Sequence, residues 1–168
     1  VFAELKRFRN VLWTVSADCM GEKFNYVRHG GNWNQFLNNL KTIKTLGHDI
    51  RLNLVWFVGS VSDLTDTIKY FVQEHGITDI TINQLYKHQY LRARHAPTAI
   101  KQLARTQINQ LLTSGLIENK SNSWYNIARC TQELETVESD PSGYVKYFDH
   151  LDQLRGTNWR RVFPELVV

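Results

Sequence analysis

The residues best placed to do chemistry in this sequence sit in or just after three apolar runs. Ser16 and Asp18 close the run VLWTVSA (residues 11–17), Asn53 and Trp56 lie within IRLNLVWFV (50–58), and Asn83 with Tyr86 follows from ITDITINQL (77–85). Asp18 can accept a hydrogen bond from a ribose hydroxyl or take up a proton, and an Asp at a strand end equally satisfies loop amides. Arg28 offers a fixed fork of donors suited to a carboxylate, and the neighbouring Gly30 and Gly31 let backbone approach a ligand closely; a surface arginine beside a turn reads the same way. Asn53 stands inside an otherwise apolar run, where an unpaired buried amide costs about 1–3 kcal/mol. It therefore needs a partner, either a ligand in a pore or a side chain on a neighbouring strand, and the same holds for Asn83.

The segment YKHQYLRARH (86–95) interleaves Lys87, Arg92 and Arg94 with Tyr86, Tyr90, His88 and His95. Such a mixture can stack on and neutralise nucleic acid, and it equally describes a solvated loop or a lid over strand ends. Nucleic acid is thus permitted as a partner without being indicated. The chain has no GxxxxGK[ST], no GxGxxG after a strand, no GxSxG and no HExxH, which argues against P-loop hydrolases, Rossmann dehydrogenases, serine hydrolases and zincins. Cys19 and Cys130 are far apart in sequence and in no metal-binding spacing, so no disulfide framework and no metal site is expected.

These residues need a frame, and the frame is legible as a repeated cycle of strand and helix. After the first run, Asn32 and Gln35 have the spacing of an N-cap and its N3 partner, followed by Trp33, Phe36, Leu37, Leu40 and Ile43 at helical spacing and Gly47 as the stop. After the second, Ser62 is the expected N-cap of a helix whose buried stripe is Leu64, Ile68, Phe71 and Val72, closed by Gly76. After the third, Pro97 opens a helix carrying Ile100, Leu103, Ala104, Ile108 and Leu111. The remainder reads as helix: Trp124 to Val137, then Tyr144 to Leu154 ending at Gly156. The first ten residues, with Phe2, Leu5 and Phe8, also have helical spacing.

Strands alternating with helices predict parallel βαβ units. The expected fold is α/β: a partial (β/α) TIM-like barrel with parallel strands and a helical C-terminal tail, divided as 1–115 (three strand-helix units) and 116–168 (a helical extension on the same domain). Ligands of such folds gather at the carboxyl ends of the strands. Of the 168 residues, 42% are hydrophobic and 12% aromatic, enough for a substantial core, and twenty Lys and Arg against sixteen Asp and Glu give a modest charge of +4. No apolar run approaches the roughly 20 residues that cross a bilayer, so no membrane partner and a cytoplasmic location are expected.

The first unit, VLWTVSADCMGEKFNYVRHGGNWNQFLNNLKTI, resembles the fourth strand and following helix of radical SAM enzymes: a strand ending Ser-x-Asp, then Tyr-x-Arg-x-Gly, then Trp and an Asn-rich helix start. It looks most like the twitch-domain group, and the tail LDQLRGTNWRRVFPEL is similar to that group's closing segment. The resemblance implies that Ser16 and Asp18 lie beside the ribose and amino acid portion of S-adenosylmethionine, that Arg28 lies near its carboxylate, and that Asn53 faces the barrel interior. Trp56, Asn83 and Tyr86 then fall on the substrate side. The family's CxxxCxxC loop, which holds a [4Fe–4S] cluster, has no counterpart here, and two cysteines cannot replace it. The chain is accordingly expected to be a fragment corresponding to strands four to six of such a barrel with its C-terminus, inactive alone, acting in the intact protein on a peptide, nucleotide or small metabolite. Either the missing N-terminal barrel part or a second copy of the chain would complete it. The rival expectation is a non-catalytic α/β module whose 86–95 segment binds nucleic acid or a protein.

Overall fold

The computed structural model describes residues 4, 7, 8, 10–135 and 140–167. Three strands, β1 (Leu12–Ser16), β2 (Asp49–Trp56) and β3 (Asp79–Gln84), form one parallel sheet in the order β1-β2-β3. Leu12 pairs with Asp49 and Ser16 with Asn53; Arg51 pairs with Asp79 and Trp56 with Gln84. Two helices, α1 (Gly21–Val27) and α2 (Trp33–Lys44), connect β1 to β2, and α3 (Leu64–His75) connects β2 to β3. Four more follow: α4 (Thr98–Thr113), α5 (Asn122–Leu134), α6 (Ser142–Arg155) and the short α7 (Trp159–Val162). The α/β class and parallel strands expected from the sequence are present.

Strand alternation gives the sheet two unlike faces. Val15, Leu52, Leu54, Trp56, Ile80 and Ile82 are buried and share one core with Leu40 and Ile43 of α2, Ile68 and Phe71 of α3, and Ile108 and Leu111 of α4. The other face carries Thr14, Ser16, Arg51, Asn53, Asp79, Thr81 and Asn83, all half-buried or exposed. The apolar run at 11–17 is thus covered on one face only, since Leu12 and Thr14 are exposed. A parallel sheet ordinarily has helices on both sides; this one has a bare, polar side.

The two edges differ as well. Along β3, α5 lies against the outer backbone: Ser123 Oγ accepts the Ile80 N–H and donates to the Thr78 carbonyl (2.8 Å each). Asn126 donates to the Ile80 carbonyl (3.4 Å) and Arg129 to the Ile82 carbonyl (2.9 Å). Along β1, the Ala17 amide bonds to the Asn53 carbonyl, so residues 13, 15 and 17 face β2 while 12, 14 and 16 turn their peptide groups outward. Among the described residues no strand pairs with that edge.

Local signals fix most helix ends. Asn32 Oδ1 accepts the Gln35 amide at 2.9 Å, the first half of the expected cap, and Gly76 (φ 68°) and Gly156 (φ 64°) close α3 and α6 in the left-handed conformation that glycine tolerates. The stretch leading to Arg28 forms α1. Two expectations are corrected. Ser62 does not cap α3, which begins after Asp63. In α4 the buried stripe takes Lys101 (2% exposed) while Leu103 is 52% exposed; the Lys101 ammonium reaches the Arg94 carbonyl at 3.0 Å. Phe2, Leu5 and Val137 lie outside the described residues, and Phe8 is exposed. No helix among the described residues is long and apolar enough to cross a membrane.

Candidate functional site

At the carboxyl end of β1 the chain turns into α1, and the turn aims Asp18 back at the sheet. Its Oδ1 accepts the Val55 amide at 2.9 Å, a bond that extends the β1–β2 ladder beyond the end of β1. Its Oδ2 accepts from Arg28 Nη2 at 3.0 Å. Asp18 is 7% exposed, and burial pushes its carboxyl above 3.8 although the Arg28 guanidinium and the Val55 amide pull the other way. Arg28 follows the last residue of α1 and is held by a tight backbone turn. Its carbonyl accepts the Gly31 amide at 2.6 Å, and a Cβ at Gly31 would meet that carbonyl oxygen at 2.8 Å. Gly31 thus permits the tight turn that follows Arg28. Arg28 Nε is buried and has no hydrogen-bond partner among the described residues.

Below this pair a polar ladder crosses the bare face. Asn83 Nδ2 donates to Asn53 Oδ1 (2.6 Å), and Asn53 Nδ2 donates to Ser16 Oγ (3.2 Å). The ladder answers the cost of placing Asn53 in an apolar run: its amide is paired with neighbouring strands on the open side of the sheet. Ser16, Asp18, Arg28, Asn53 and Asn83 therefore gather at the carboxyl half of the sheet. Two expected residues do not join them. Trp56 is 0% exposed and shares the helix-covered face with Leu52 and Leu54, because an even-numbered position of β2 points away from Asn53. Tyr86 is 79% exposed beyond the end of β3, and its carbonyl accepts from the Gln89 side-chain amide.

A cavity of about 230 Å³ opens over the strand ends beside Asp18. The β1–α1 connection contributes Asp18, Tyr26 and Val27; β2 and its continuation contribute Val55 and Phe57. The segment after β3 contributes Leu85, His88 and Leu91, and α6 closes the far side with Tyr147, Phe148, Leu151 and Arg155. Sequence reasoning missed α6 as a wall of the site, since its apolar residues at helical spacing indicate burial without naming what they cover. Asp152 anchors it, accepting from the Tyr26 hydroxyl (3.0 Å), the Thr157 hydroxyl (2.7 Å) and the Trp159 amide (2.7 Å).

Behind α1 lies a second cluster. Lys23 Nζ is 2.7 Å from both Asp63 Oδ2 and Glu165 Oε1, and Ser62 Oγ lies 2.7 Å from Glu165 Oε1 and Asp63 Oδ1, to either of which its proton can go. Burial lowers the Lys23 pKa, but the two carboxylates overcome it and leave the ammonium above 10.5. This cluster pins the C-terminal segment to the α1 and β2 connections.

The remaining expected chemistry is constrained. Cys19 and Cys130 are both buried, bonded to the Gly59 and Asn126 carbonyls. Burial pushes both thiols up, Cys130 to about 12, so neither offers a thiolate and this chain's residues do not fit a [4Fe–4S] cluster. In the 86–95 segment Arg92 is ion-paired with the buried Glu133, which takes one of its three cations away from any phosphate. Comparison of the chain with protein-family models, with curated proteins and with solved structures gives no match in any of the three.

Proposed function

We propose that this chain forms one wall of a (β/α) barrel of the radical SAM type, contributing part of the S-adenosylmethionine site and of the substrate cavity. The observation that carries the reading is the gathering of Ser16, Asp18, Arg28 and Asn53 at the carboxyl ends of parallel strands, with Ser16 and Asn53 on the polar face of the sheet. Helices on one face of parallel strands, with polar groups gathered at the carboxyl ends of those strands, are what a ligand-binding barrel wall offers. The sealed outer edge of β3 favours a wall that ends at this strand, and the open edge of β1 favours further strands joining there.

In this reading Arg28 is the cation for the cofactor's carboxylate, using the guanidinium N–H groups that Asp18 does not take. Asp18 holds Arg28 in place and offers its remaining lone pairs to hydroxyl or ammonium donors. Reductive cleavage of the cofactor belongs to the cluster, whose ligands this chain does not supply, so no catalytic step is assigned to these residues. Calorimetric titration with S-adenosylmethionine tests the reading. Saturable binding is expected, weakened at least about tenfold by Arg28→Ala, a loss of ~1.4 kcal/mol. No binding to the folded chain, or undiminished binding by Arg28→Ala, would remove it.

A further inference from the structure

The walls of the cavity beside Asp18 are mostly apolar, and Asp18, Tyr26, His88 and Arg155 among them each make a bond within the protein. The Tyr26 hydroxyl donates to Asp152 (3.0 Å), and Arg155 Nη1 donates to the Tyr26 carbonyl (3.2 Å). His88 Nδ1 pairs with the Tyr90 hydroxyl at 2.9 Å, and each Asp18 oxygen already accepts one bond, from Val55 and from Arg28. The Asp18 charge is thus matched by Arg28. What remains to meet an occupant is the carbon surface of Val55, Phe57, Leu85, Phe148 and Leu151, with the Tyr147 ring at one side.

We propose that this cavity receives an uncharged apolar side group of the substrate, an aromatic ring or a branched aliphatic chain. Its volume of about 230 Å³ lies under the roughly 300 Å³ at which sites begin to enclose whole ligands. It therefore holds a side group while the rest of the substrate stays outside. A phosphorylated group is disfavoured, since moving a dianion against a lining that is mostly carbon carries a large desolvation cost. Of the groups that a peptide, nucleotide or small metabolite carries, the chemistry selects an uncharged ring or aliphatic chain and leaves any phosphate outside. The word substrate rests on the barrel reading above, but the preference of the cavity does not.

Phenol and phenyl phosphate form a matched probe pair, the same ring without and with a dianion. Titration followed by amide chemical shifts is expected to show saturable phenol binding centred on Val55, Leu85 and Leu151, with phenyl phosphate weaker by at least about tenfold. Val55→Phe, which fills the cavity, is expected to lose phenol binding while its melting temperature holds. Should that variant fail to fold, Leu151→Gln, at a half-buried site on α6, is expected to weaken phenol by about fivefold. Equal affinity for the two probes, or phenol binding that neither substitution changes, overturns the assignment. Titration with S-adenosylmethionine separates the two proposals: phenol bound without the cofactor keeps the cavity assignment and removes the barrel reading, and the cofactor bound without phenol does the reverse.

Discussion

Single residues in this protein take the ordinary roles that their types allow. Asp18 accepts a strand-end amide, the ordinary role of such a residue, and also positions Arg28. Asn53 finds its partners on neighbouring strands, and those partners lie on the open face. The Glu165 carboxyl shows how placement turns type into energy. Burial pushes it up, yet hydrogen bonds from Lys23 and Ser62 overcome burial and hold it below 4.5. A depressed folded-state pKa stabilises fully above the unfolded value and loses that contribution as pH falls through the folded value. Glu165→Gln is therefore expected to cost about 1–2 kcal/mol at neutral pH. Thermal melts across a pH series check this: the gap between wild type and variant should close as pH falls below 4.5. Nothing in the local sequence marks Glu165 as a partner of Lys23, because the contact joins residues at opposite ends of the chain.

At the scale of elements, periodic apolar patterns were readable and the edges of the sheet were not. Three strands, the helix caps at Asn32 and Gly76 and the stripe of α3 follow from spacing, because each depends on neighbours within a few residues. The helix α5 was legible as a helix, but its function along β3 depends on Ser123, Asn126 and Arg129, three polar residues whose types ordinarily signal solvent. They stand three apart, so one side of the helix presents hydrogen-bonding groups in step with the outward peptide groups of β3. Lys101 escaped for the same reason, since a lysine is the residue least expected on a buried stripe. Ser123 both accepts from Ile80 and donates to Thr78, so Ser123→Ala strands two backbone groups at once. The expected cost is about 2–3 kcal/mol in denaturant melts, together with faster hydrogen exchange at the Ile80 amide. A loss under about 0.5 kcal/mol would mean that water replaces the hydroxyl there and that α5 does not seal the strand.

For the whole molecule, the contrast between the two edges decides what the chain can do by itself. A parallel strand whose alternate peptide groups face solvent is a template for another strand, and β1 presents residues 12, 14 and 16 in that way beside a polar, uncovered face. Helix cover makes the opposite edge unable to do so. In an intact barrel the open edge would take the preceding strand; in the isolated chain it is expected to recruit a second copy. Thr14→Pro separates these interactions from folding, because the Thr14 amide points away from β2 and its loss removes no bond of the existing ladder. Sedimentation equilibrium over a concentration series in the micromolar range should then give concentration-dependent association for the wild type and a monomer for the variant, with melting temperatures that stay close. A wild type that remains monomeric throughout would mean that β1 is protected by other means, and the case for strands joining this wall from its N-terminal side would lose its physical basis.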